Sequence, residues 1–137
     1  MKRASAVVCA GILGALAALH FAWAGGSTLF AAGVVPSKPV DVGEQAAPLF
    51  EPSRTSSVAV ALALSVGALA VLRAGFTGRG KGLARLVSLA FGARAFGDFR
   101  YLGVTKRIKG TEFARRDTRI YAPLCLAVSV LAGRAAK

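Results

Sequence analysis

Residues 4–24 contain no Asp, Glu, Lys or Arg, and they follow the basic pair Lys2-Arg3. A helix needs about 20 apolar residues to cross the ~30 Å hydrocarbon core of a bilayer. In lipid each backbone polar group must be satisfied within the structure, so a lone apolar run of this length is helical. That constraint removes most soluble fold classes. The competing reading is a secretory signal, because Ala22-Trp23-Ala24 imitates a cleavage site. The run is longer than the usual ~7–15 apolar residues of a signal. His20 and Trp23 also stand where interfacial anchors are expected. A retained span is the expectation.

Three further apolar runs follow. Residues 58–72, VAVALALSVGALAVL, form the second, and a snorkelling Arg73 extends it to about Phe76. The third, 83–99, is ambiguous, since Arg94 interrupts it. It either spans with Arg94 inside the membrane region or lies in the interface with a basic face. The last, 120–133, is shorter than ~17 residues, so Arg119 and Arg134 must snorkel or the bilayer must thin. Pro123 falls in its first turn, where a missing N–H costs nothing.

The segments between are polar. Residues 25–56 form a linker with Pro36, Pro39, Pro48 and Pro52. Residues 75–82 form a glycine-rich basic turn, and 100–118 a basic loop. The whole reads as one all-α integral membrane domain over 1–137. About four transmembrane helices are expected, near 4–24, 57–76, 83–99 and 119–134. Small residues recur at Ala6, Ala10, Gly14, Ala18 and Ala22, and again at Ala59, Ala63 and Gly67. Two such ladders can face each other, since close backbone approach drives helix packing in lipid.

Apolar residues make up 55% of the chain, against ~45–50% in soluble domains. Charge is uneven. Residues 1–72 hold Lys2, Arg3, Lys38 and Arg54 against Asp41, Glu44 and Glu51, a net of +1. Residues 73–137 carry fourteen bases against Asp98, Glu112 and Asp117, a net of +11. That asymmetry calls for an anionic partner. Beside apolar helices, lipid headgroups fit better than nucleic acid. The expected headgroup contacts are Arg100, Lys106, Arg107, Lys109, Arg115, Arg116 and Arg119.

Cys9 and Cys125 both lie in apolar runs, and no CxxC or Cys/His cluster exists, so no metal site is expected. Nothing in the sequence calls for a cofactor. No GxGxxG follows a strand, and neither GK[ST] nor GxSxG occurs, so nucleotide folds and serine hydrolases lack their marks.

Topology is where the rules conflict. Four spans from a cytoplasmic N-terminus put the basic turn at 73–85 inside, as its charge requires. They also put the basic loop at 98–119 outside, against the same rule. An interfacial third segment would remove the conflict. We favour four spans, because 94–99 reads as a helix end.

Five residues form the candidate polar site: His20, Arg94, Asp98, Asp117 and Tyr121. Arg94 and Asp98 are four apart and can pair on one helix face. Asp117 precedes the last helix, as an N-cap does, or serves as an acceptor beside Tyr121. His20 is the only histidine, the residue type most used for proton transfer. On four spans it shares a membrane face with Asp98 and Asp117.

The residues that carry most information also carry a resemblance. His20-Phe21-Ala22-Trp23-Ala24-Gly25-Gly26, Val34-Val35-Pro36, Arg94 and Gly97-Asp98-Phe99-Arg100-Tyr101 are its first part. Gly103, Lys106-Arg107, Thr111, Phe113-Ala114, Asp117-Thr118-Arg119, Tyr121 and Pro123-Leu124-Cys125-Leu126 are the rest. The chain resembles a family of small bacterial integral membrane proteins, domain of unknown function 3995. The resemblance implies a four-helix membrane protein with its first helix retained. It implies no reaction, substrate or cofactor. Ala22, Arg116 and Ala122 depart from it, where an aromatic, an apolar residue and a serine are expected.

The leading expectation is a non-catalytic membrane scaffold or partner subunit, multi-pass in the inner membrane, able to pair with another membrane protein or itself. The alternative is a membrane-embedded enzyme or small-solute transporter built on the five polar residues. Their convergence around a cavity would favour the alternative; local satisfaction of each would favour the scaffold.

Overall fold

The computed structural model describes residues 1–31, 33–38 and 47–137. Asp41, Glu44 and Pro39 of the linker lie outside the described residues. Among those described, the fold is all-helical. Helix α1 is Lys2–Ala24, α2 is Arg54–Thr77 and α3 is Lys81–Phe96. A fourth rod starts with α4, Glu112–Arg116, continues as a π-helical turn, Asp117–Tyr121, and ends as α5, Ala122–Ala135. Ser37 and Pro48 form an isolated antiparallel bridge in the linker.

The helix ends follow local chemistry. Ser53 caps α2 by accepting from the Ser56 N–H, and Gly78 ends it in a left-handed conformation. Gly97, at φ 100°, ends α3, three residues short of the expected bound at 99. Thr111 caps α4 by accepting from the Ala114 N–H. The last rod thus begins at Glu112, not near 119, and part of the expected basic loop is helix. Pro123 therefore does not sit at a free helix start. Mid-helix, proline lacks a donor and its ring crowds the carbonyl four residues back. The wider π turn just ahead of it is where the rod accommodates that defect.

The four rods run up and down. The start of α1 meets the end of α2, where a methyl group at Gly75 would clash with Ala6. Ser88 and Ser129 exchange hydroxyl-to-carbonyl hydrogen bonds of 2.7 Å each, which ties α3 antiparallel to α5. Cys9 Sγ lies 3.7 Å from the Val128 carbonyl, so α1 also packs on α5. Both cysteines are free. The buried core is made of small residues, including Ala6, Cys9, Ala74, Ala84, Ala132 and Ala135 around Leu13, Val71 and Val128.

The small-residue ladders coincide with the interface only in part. On α1 the buried stripe is Ala6, Cys9, Ala10, Leu13 and Ala17, while Gly14 and Ala18 are exposed. On α2, Ser57, Ala61, Gly67, Ala70, Val71 and Ala74 are buried, while Ala59 and Ala63 are exposed. The physical reason is the helix period. Strict steps of four drift by ~40° each against 3.6 residues per turn, so a long ladder walks off the contact face. The real stripe alternates steps of three and four.

Two helices, α1 and α2, are long and apolar enough to cross a membrane. Outward-facing residues of the bundle are apolar too, among them Val7, Val8, Val60, Leu62, Val66, Leu69, Leu86, Leu89, Leu126 and Val130. Exposure of this extent marks a membrane or partner surface rather than a soluble monomer.

Candidate functional site: a buried ion cluster

The chain after α3 turns back sharply. Gly97 and Gly103 both take positive φ, at 100° and 74°. A side chain at Gly97 would collide with the Leu102 carbonyl, and one at Gly103 with the backbone of Phe96. Between them, Asp98 Oδ1 accepts the N–H groups of Arg100, Tyr101 and Leu102 at 2.7–2.9 Å. The Val104 N–H then returns to the Ala95 carbonyl, and both donors of Thr105 to the Phe96 carbonyl. This folded loop seals the end of α3 and aims Lys106 inward.

Lys106 meets Asp117 there. The Lys106 Nζ lies 3.0 Å from Asp117 Oδ2 and 3.0 Å from the Gly103 carbonyl. Asp117 Oδ2 also accepts the Gly103 N–H at 2.7 Å. Its other oxygen, Oδ1, is 2.8 Å from Arg94 Nη2. The Asp117 side chain is fully buried, and that of Lys106 is 3% exposed against 30% for Arg94. Both carboxylate oxygens are engaged. Burial by itself raises the Asp117 pKa, but the hydrogen bonds from Arg94 and Lys106 and the Gly103 N–H hold it below the usual carboxylate range. Asp98 is also lowered: its slight desolvation is outweighed by the three loop N–H donors. Arg94 Nη1 is buried with no hydrogen-bond partner among the described residues.

The structure rearranges the expected site. Arg94 does not pair with Asp98; it reaches the last rod, because Asp98 is turned into its own loop. Asp117 is not an N-cap, since Thr111 fills that role and Asp117 sits within the rod. Lys106 is not a headgroup contact but a core cation. Tyr121 lies one turn beyond Asp117, yet its hydroxyl donates to the Gly33 carbonyl at 3.3 Å, and its ring stacks 6.1 Å from Phe113. His20 stays on α1, with Nδ1 2.8 Å from the Leu16 carbonyl and its ring edge-on to Trp23 at 4.8 Å. The five residues thus do not converge. Arg94 and Asp117 do, with Lys106 as the unexpected third member. Nothing in the sequence separates Lys106 from the six exposed or half-exposed bases around it.

Of those, Arg100, Arg107, Lys109, Arg115 and Arg119 are exposed. Arg100 lies over the Tyr101 ring at 5.3 Å. Arg116 is paired with Glu112 at 2.7 Å and is only partly exposed.

The loop that closes this cluster is the densest part of the resemblance noted in the sequence. Residues 13–132 match the family described as Protein of unknown function (DUF3995). The chain belongs to the DUF3995 family. No curated relative and no solved structure matches it. The chemistry of this DUF3995 member lies in the cluster itself. An aspartate with two cationic partners and a backbone donor is a tie between α3, the loop and the last rod.

Proposed function

We propose that this chain is a multi-pass protein of the cytoplasmic membrane that acts as a scaffold or partner subunit, without catalysis of its own. The observation behind this reading is the state of Asp117. Its oxygens are occupied by Arg94, Lys106 and the Gly103 N–H, and its side chain is fully buried. A carboxylate that carries protons or binds a solute needs access from outside the fold. A carboxylate that locks a fold does not.

Four spans support the same reading. Helix α3 lies antiparallel along α5, inside the bundle, rather than away from it. At about 1.5 Å per residue its length is near 24 Å, enough with snorkelling ends and local thinning. The segments that meet at one end, 1–3, 73–85 and 134–137, hold Lys2, Arg3, Arg73, Arg79, Lys81, Arg85, Arg134 and Lys137 and no Asp or Glu. The positive-inside rule assigns that end to the cytoplasm. The opposing basic loop weighs less than its sequence suggests, because Arg94, Lys106 and Arg116 are already paired. Its free bases, Arg100, Arg107, Lys109, Arg115 and Arg119, are left for anionic headgroups. Burial of Ala6, Cys9 and Leu13 in the core supports retention of α1.

Proteoliposomes test the central claim. Vesicles holding the wild-type chain and a trapped pH dye should leak protons no faster than empty ones. A conductance that vanishes in Asp117→Asn would overturn the reading. One observation favours the alternative, an embedded polar site: the unpartnered Nη1 of Arg94. That site would then comprise Arg94 and Asp117, with His20, Asp98 and Tyr121 standing apart.

A further inference from the structure

A second feature lies away from the ion cluster. Helices α2 and α3 share the short turn at Gly78–Gly80 and leave between them a groove of about 460 Å³. Its walls are apolar: Val60, Leu64 and Val66 on one side, Leu86, Val87 and Phe91 on the other. The floor is Gly67, where a side chain would press on Val87 and Leu13. A groove this apolar stays open to hydrocarbon, not water.

Charge is concentrated at one mouth of the groove. Arg73 lies seven residues beyond Val66 on α2, two turns or about 10 Å further along the same face. Gly80 packs back on Ala70 and Arg73, so the turn bearing Arg79 folds over that mouth. Arg73 and Arg79 are both exposed. Lys81 is otherwise occupied, with Nζ 3.0 Å from the Lys137 carbonyl. No Asp or Glu occurs in 73–97 to neutralise the two guanidiniums. Guanidinium groups are matched in geometry and charge to phosphate oxygens.

We propose that this groove is a binding site for one anionic phospholipid, with an acyl chain between α2 and α3 and the headgroup phosphate on Arg73 and Arg79. The proposal rests on the membrane reading above. A second copy is a poorer occupant. In the same membrane orientation it would set these arginines against the same arginines of its neighbour, and like charges brought together are repelled. A zwitterionic lipid would leave the cationic mouth uncompensated.

Native mass spectrometry of the full chain in detergent, with phosphatidylglycerol or phosphatidylcholine added, tests this. The wild type should retain one phosphatidylglycerol with at least a tenfold preference. Filling the groove from its exposed walls, by Ala63→Phe or separately by Ala90→Phe, should remove that bound lipid. The double variant Arg73→Gln, Arg79→Gln should keep a lipid but lose the preference. Equal retention of both lipids by the wild type would overturn the proposal. So would retention of phosphatidylglycerol unchanged in all variants, or a two-chain species that Ala90→Phe splits. A failure of the membrane reading would show itself separately, as a chain extractable from membranes without detergent.

Discussion

Asp117 is a residue whose value depends wholly on its neighbours. Leaving Lys106 buried without it removes the partner of an occluded charge, which costs about 3–5 kcal/mol when a buried pair is broken. Asp117→Ala should therefore lower the melting temperature in detergent strongly. Pairing Asp117→Leu with Lys106→Met removes the two most buried charges and should recover part of that loss, Arg94 being left half-buried and without its carboxylate. Thermal melts of the two variants side by side check this. The same group sets an acid limit. Its native pKa is depressed below the unfolded value, so its stabilisation is complete above about pH 4, the ordinary carboxylate value. It is lost as pH falls through the native value. Melts from pH 7 to pH 3 should show a decline in the wild type that Asp117→Asn largely lacks.

At the scale of elements, the loop at 97–106 matters most. It converts the end of α3 into a platform that delivers Lys106 to the cluster. Gly97 is its hinge, at φ 100° and against the Leu102 carbonyl. Gly97→Ala should cost more than the about 1–3 kcal/mol of a strained backbone, because the Leu102–Gly103 backbone must also shift. Gly110, in the same region, has open space around its would-be Cβ. Gly110→Ala should stay within about 0.5 kcal/mol of wild type. Denaturation of both variants in mixed micelles distinguishes a required glycine from an incidental one. The π turn is the second device. It lets the rod run on through Pro123, whose ring and missing N–H would disturb a regular α-helix.

The whole molecule is a bundle with two unlike ends. One end carries bases without acidic side chains; the other carries the folded loop, the ion cluster and the linker. If all four rods cross the bilayer, the turn at Arg79 and the loop at Lys109 face opposite sides. In a Cys9→Ser, Cys125→Ser background, Arg79→Cys and Lys109→Cys place single thiols at exposed positions. A membrane-impermeant maleimide applied to intact cells should label Cys at 109 and spare it at 79. Labelling of both only after permeabilisation would mean that α3 does not cross. Lys106 is unsuited to this test, because it is buried in the ion cluster.

The uncharged run at 4–24, the run at 58–72 and the density of special residues from Arg94 onward were legible in the chain alone. They rest on local physics: a hydrocarbon core admits only satisfied backbone, and charge near it is rare without purpose. The same local reasoning failed for Arg94. Its natural partner by spacing was Asp98, four residues away, yet three backbone N–H groups claim that carboxylate. The true partner, Asp117, is separated from Arg94 by 23 residues. It failed in part for the alanine ladders, whose regular steps drift off the contact face. The residues alone point to an all-helical, lipid-compatible chain with its chemistry gathered in one region. Which cation meets which anion is set by the packing of the folded bundle. Ion pairing across a bundle depends on helix phase and loop closure, and neither leaves a periodic trace in the residues that make the pair.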